Sequence, residues 1–126
     1  MSQPATRPEE TPRELALECQ GVRRSFKIGD RRMEILHGVS LELRRGERLA
    51  LMGTSGAGKT TLLNILGLLD TPTEGLVRVD GQEAARLGPA ERALLRNRKI
   101  GFIFQFYHLL PELSSLENAL LPAMIL

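Results

Sequence analysis

Gly53-Thr54-Ser55-Gly56-Ala57-Gly58-Lys59-Thr60 satisfies the pattern G-x-x-x-x-G-K-[ST] without a mismatch. Residues of these types in this order can grip a polyphosphate. Its oxygens must come within hydrogen-bond distance of several main-chain N–H groups at once, and glycines at 53, 56 and 58 leave the backbone free to approach. Lys59 is expected to reach the β and γ phosphates, the Thr60 hydroxyl to ligate Mg²⁺, and Thr61 to add a contact to the α phosphate. A glycine-rich turn with a solvated lysine would match the same letters, so the flanking elements decide between the two readings.

Those flanks have the required order of strand, loop and helix. Leu49-Ala50-Leu51-Met52 is a short continuous apolar run ending at a glycine, the pattern of a strand buried on both faces. Thr61 to Leu69 is rich in Leu and Ile and is expected to form a buried helix that gives way at Asp70-Thr71-Pro72. Such a strand and helix aim a ring of amides and a helix N-terminus at one point.

Further elements follow from the same rules. Leu15, Leu17, Cys19 and then Val22 indicate a half-buried strand over Leu15 to Phe26, irregular near Gly21, and Gly29-Asp30 marks a turn. Val39, Leu41 and Leu43 alternate with polar residues as a second strand. Leu76 to Val79 reads as a strand closed by the turn pair Asp80-Gly81, and a helix is expected after Gly88 with Pro89 at its first position. Ile100 to Phe104 is again strand-like, with Gln105 where it runs out. Ser114 and Glu117 form a capping box that opens a helix through Leu121.

Composition narrows the function classes. The chain of 126 residues is 42% apolar and 25% charged with a net charge of +2, as expected of a globular domain. Its basic residues fall in scattered pairs, Arg23-Arg24, Arg31-Arg32 and Arg44-Arg45, and no basic stripe with interleaved aromatics argues for nucleic acid. The lone Cys19 cannot make an internal disulfide and is expected to be a small buried hydrophobe. Met1 to Arg13, with three prolines and no apolar run, reads as a disordered tail, leaving 14–126 as the domain. The longest apolar stretch, Leu62 to Leu69, is far short of the roughly 20 residues that cross a bilayer, so no direct membrane insertion is expected. His37 and His108 have no partners at metal-ligand spacing and are expected to be structural or surface residues.

A phosphate loop alone says NTPase and no more. Gly101-Phe102-Ile103-Phe104-Gln105, with Leu109-Leu110-Pro111 and Leu116-Glu117-Asn118 after it, resembles the Q-loop region of ATP-binding cassette (ABC) transporter subunits. Asp70-Thr71-Pro72-Thr73-Glu74-Gly75 is similar to that family's connection after the phosphate-loop helix. Leu63 to Asp70 and Leu95 to Phe102 resemble the branch serving lipoprotein release and macrolide export, and Phe104 to Pro111 looks most like its lipoprotein-releasing members, with macrolide export and cell division close behind.

The resemblance implies an α/β fold of ABC type, an antiparallel β subdomain plus a partial parallel sheet with helices, and ATP with Mg²⁺ as ligands. It implies that Gln105 senses the γ phosphate through Mg²⁺ or the attacking water, that Phe26 stacks on adenine, and that Tyr107 to Leu121 border a docking surface; the same leucines could instead be core. The implied partners are inner-membrane permease subunits and a second ATP-binding subunit, at the cytoplasmic face of the bacterial inner membrane. The family also needs a Walker B aspartate, an adjacent glutamate, an LSGGQ-type segment and a switch histidine, none of which occurs among these 126 residues. Together with the apolar close Ala119 to Leu126, this leads to the expectation of a truncated sequence, inactive in hydrolysis by itself. Two rivals are a stand-alone kinase or GTPase, although no N-K-x-D motif is present, and a non-catalytic nucleotide-responsive docking module.

Overall fold

The computed structural model describes residues 14–124, and the tail expected over 1–13 lies outside them. A long hairpin organises the fold. Strand β1 (Leu15–Ile28) and strand β2 (Arg31–Arg44) pair antiparallel around the Gly29-Asp30 turn, bringing Leu17 opposite Leu43 and Cys19 opposite Leu41. The irregularity expected near Gly21 is a register shift between Cys19 and Val22, where the Gly21 amide donates to Ser40 Oγ at 2.8 Å. The extra residue matters for packing, because it returns Val22 to the core face that Cys19 already occupies. Strand β2 begins well before Val39, and Gly38, at φ +99°, takes up the register shift opposite Val22 and Arg23.

Strand β3 (Glu74–Val79) adds to the other edge of β1, with Cys19 opposite Val77, and the two-residue β4 (Gln82–Glu83) pairs with β3. Asp80 and Gly81 both have positive φ, 52° and 79°, the geometry that a tight hairpin with the normal strand twist demands. The sheet order is β2-β1-β3-β4 and every pairing is antiparallel. The antiparallel subdomain expected from the sequence is therefore formed.

Helix α1 (Lys59–Leu66) lies on this sheet and buries Leu62, Ile65 and Leu66, an i, i+3, i+4 stripe. It ends three residues before the expected Leu69. The Leu69 amide bonds Asn64 O at 2.8 Å and the Leu68 amide bonds Ile65 O at 3.1 Å, a Schellman closure with Leu68 at the left-handed position, φ 61°. Leucine is costly there, but its side chain is buried in the core, and that burial offsets the strain.

Helix α2 (Pro89–Lys99) starts at Pro89 as expected, with Glu91 accepting from the Gly88 amide at 2.9 Å and Leu95 turned into the core. Asp80 receives Lys99 at 2.7 Å and is also paired with Arg45, and these cations hold its carboxyl below the usual carboxylate range. Helix α3 (Ser115–Met124) has the expected capping box, Glu117 N–H to Ser114 Oγ at 3.1 Å and Ser114 N–H to the Glu117 carboxylate at 2.7 Å. The core joins Cys19, Val22 and Val77 of the sheet to Ile65 of α1 and Leu95 of α2. Cys19 is 1% exposed, its thiol faces Val39 O at 3.6 Å, and burial pushes the thiol pKa up.

Two expected strands need correction. Leu49–Met52 and Ile100–Phe104 form no ladder among the described residues, so the partial parallel sheet is not assembled there. Leu51 and Ile100 still lean on the core, whereas Met52 is 92% exposed and Ile103 fully exposed. An apolar run marks a segment whose surface needs cover. A parallel strand also needs neighbours distant in sequence, and the described residues offer none in register.

Candidate functional site

Gly53 to Thr61 form an open loop running into α1, and the cavity beside it, about 530 Å³, is lined by Ile35, Ser55, Gly56, Gly58, Lys59, Thr60 and Thr61. That size is in the range of small-ligand sites. Gly56 and Gly58 take φ of +81° and +94°, where an L side chain is strained. At Gly58 space is short as well, since a Cβ would lie 2.9 Å from Ile35 Cγ2 and 3.0 Å from Leu36 Cδ2. Gly53 is less constrained, with a Cβ 3.3 Å from that of Ala57, and the Ala57 amide closes a turn on Thr54 O at 3.1 Å.

The hydrogen-bonding of the loop is one-sided. Among the described residues, the amides of Gly56, Gly58, Lys59, Thr60 and Thr61 donate to no protein acceptor, and the first intrahelical bond runs from Leu62 N–H to Gly58 O at 2.9 Å. No side chain caps the helix and no acid lies in its first turn. Main-chain donors, the positive end of the helix dipole and one lysine therefore converge without an internal anion to satisfy them. Lys59 Nζ meanwhile donates to Thr54 O at 2.7 Å and to Gly53 O, its own loop's carbonyls. The Ser55 and Thr60 hydroxyls have no partner among the described residues, so each oxygen is available to a ligand or cation. The residues present thus fit a polyphosphate with its Mg²⁺, held by the loop amides, Lys59 and Thr60.

Gln105 and Phe26 do not line this cavity. Gln105 is exposed at the bend after Phe104, whose ring stacks on Phe102 at 5.4 Å and meets His108 edge-on at 4.7 Å. Phe26 is on β1 opposite Met33, 38% exposed, with the Arg24 guanidinium 4.5 Å from its ring centre. The leucines between Tyr107 and Leu121 are not buried core among the described residues: Leu109 is 64% exposed and Leu116 68%. Asn118 folds that segment, accepting from the Leu110 amide at 2.9 Å and donating to the carbonyls of Leu110, Leu113 and Ser114. His37 pairs with Glu34 at 3.4 Å on the surface, and no group of three or more acidic, His or Cys side chains could hold a metal among the described residues.

Two contributors went unread in the sequence. Ile35 walls the cavity and limits position 58 to glycine; the apolar pair Ile35-Leu36 was its signal. Arg24 touches Phe26 and reaches Asp70, a contact between residues 46 apart that no local pattern announces.

The family model described as ABC transporter matches residues 36–124. Among curated proteins the chain is 51% identical over 109 residues to the lipoprotein-releasing system ATP-binding protein LolD of Pseudomonas syringae pv. tomato, covering 86% of this chain and 48% of that protein. It is 52% identical over 106 residues to the macrolide export ATP-binding/permease protein MacB of Syntrophobacter fumaroxidans, covering 84% of this chain and 15% of that one. Among solved structures, the ATP-binding cassette MJ0796, a dimer in a post-hydrolysis state bound to ADP and Pi, superposes with a TM-score of 0.81 at 41% identity, over 86% of this chain and 47% of that chain. The chain thus spans about half the length of the LolD relative. A matching family model over most of the domain, relatives at half identity and a backbone shared over most of the chain agree: the chain belongs to the ABC transporter family.

Proposed function

We propose that this chain is the nucleotide-binding part of an ABC transporter ATPase, and that the whole protein couples ATP binding and hydrolysis to lipoprotein release from the inner membrane. The observation that carries the nucleotide reading is the set of amides at Gly56, Gly58, Lys59, Thr60 and Thr61 that have no acceptor among the described residues, beside Lys59 and a Thr60 hydroxyl with no partner among them. Gly53, Thr54, Ser55 and Ala57 complete the cradle, and Thr60 and Gln105 serve Mg²⁺. Gln105 reports the γ phosphate to a permease, and Phe26 stacks on adenine. Walker B, LSGGQ and switch-histidine functions come from residues other than these 126, in part from a second subunit, so this chain alone binds without turnover. The complex acts at the cytoplasmic face of the membrane.

Likeness to LolD at 51% identity supports the lipoprotein branch, and likeness to MacB at 52% supports macrolide export as the second reading. Isothermal calorimetry with Mg²⁺ tests the nucleotide reading: the chain is expected to bind ATP in preference to GTP. Silence with both nucleotides, or a preference for GTP, would sink it. Co-purification of the whole protein with a lipoprotein-release permease rather than a macrolide-export one separates the two branches.

A further inference from the structure

Phe26 stands at the end of a side-chain relay that begins where α1 ends. Asp70 follows the Schellman turn, its amide bonded to Asn64 O at 3.2 Å and its Oδ1 accepting from the Thr71 amide at 2.8 Å. That carboxylate receives Arg24 Nη2 at 3.1 Å, with Arg24 Nε 3.0 Å from Oδ2 but out of line for a second hydrogen bond. The guanidinium so held lies 4.5 Å from the centre of the Phe26 ring, within cation–π range. Two more bonds stitch the same strand segment to the same loop: Thr73 N–H to Arg23 O at 2.8 Å, and Ser25 N–H to Thr73 Oγ1 at 3.0 Å.

We propose that Arg24, anchored by Asp70, is a positioning residue for the adenine platform, covering one face of Phe26 and fixing the ring so that its open face receives the base. This rests on the reading of Phe26 as the adenine-stacking ring. The arrangement is specific to a planar cation. Phe26 has two faces and an exposed strand end beside it; a guanidinium clamped by a carboxylate occupies one face, yet the ring stays 38% exposed. The electrostatics also favour a base on the other side, because a cation on one face draws π density away and leaves the opposite face better suited to an electron-rich heteroaromatic. Helix α1 then joins both ends of the nucleotide site: its N-terminus carries the phosphate cradle and the loop after its C-terminus holds the platform.

The test compares MgATP with magnesium tripolyphosphate, which has the phosphates but no base, by calorimetry on the full chain. The wild type is expected to prefer ATP. Arg24→Ala should lower ATP affinity about three- to tenfold, on the scale of one cation–π contact, while tripolyphosphate affinity stays put. Asp70→Asn should move the same ratio in the same direction. If Arg24→Ala loses both ligands through misfolding, Arg24→Gln, which keeps the stem without the charge, is judged by the same ratio. An unchanged ratio, or tighter ATP binding because the ring has been uncovered, overturns the proposal. Equal affinity of the wild type for the two ligands would instead remove the role of Phe26, and binding of neither would remove the nucleotide reading.

Discussion

Lys59→Ala is expected to weaken MgATP binding ten- to a hundredfold or more, measured by calorimetry against the unchanged chain. One charge-assisted hydrogen bond is worth roughly 1.5–3 kcal/mol, and each 1.4 kcal/mol is a factor of about ten. The ammonium already donates to Thr54 O and Gly53 O, so part of what it gives a phosphate is exchanged rather than gained. That discount is limited, because a neutral carbonyl is a weaker acceptor than a polyanion. The substitution also leaves the Gly53 carbonyl without its donor, leaves Thr54 O only the Ala57 amide, and frees the loop, which adds an ordering cost on binding. No core residue is touched, so the thermal midpoint should barely move. Retained affinity would mean that the amides alone hold the ligand.

Gly75→Ala should destabilise the fold by about 2–5 kcal/mol, read from urea denaturation, the sum of a forbidden backbone conformation and a collision that cannot relax. Gly75 sits at φ +90°, and a Cβ there would lie 2.5 Å from Gly21 O and 2.6 Å from Gln20 O. Both are backbone atoms of the β1 bulge, so β3 would have to leave β1 to make room. Gly21 is the control: it has φ +57° with nothing within 4 Å of a Cβ, so alanine there should cost only about 1–2 kcal/mol. Domains of this kind are stable by roughly 5–15 kcal/mol, so the larger loss would populate unfolded chain. If the two variants denatured together, close approach of the strands would not be what reserves position 75 for glycine.

The sequence exposed the parts of the molecule that local chemistry dictates. The glycines and Lys59 of the phosphate loop, the Pro89 start of α2, the Ser114–Glu117 box and the irregularity near Gly21 each follow from neighbours within a few residues. Alternation missed the first half of β2 because Gly38 interrupts the period, although pairing runs through it. Composition carried the α1 reading to Leu69, since nothing about leucine suggests a left-handed φ at 68; only its buried seat makes that affordable. Leu49–Met52 and Ile100–Phe104 failed as strands because pairing depends on distant segments. The contact between Arg24 and Asp70 went unread for the same reason.

The interior position of Cys19 gives the molecule a built-in clock. It is the only thiol in the chain, it is 1% exposed, and its burial pushes the thiol pKa up. An alkylating reagent reaches that sulfur only when β1 parts from its neighbours, so modification under native conditions counts openings of the sheet rather than the nucleophilicity of a surface group. Nucleotide that tightens the helix resting on β1 should slow the labelling, and a labelling rate indifferent to ATP would mean that the cradle and the sheet open independently.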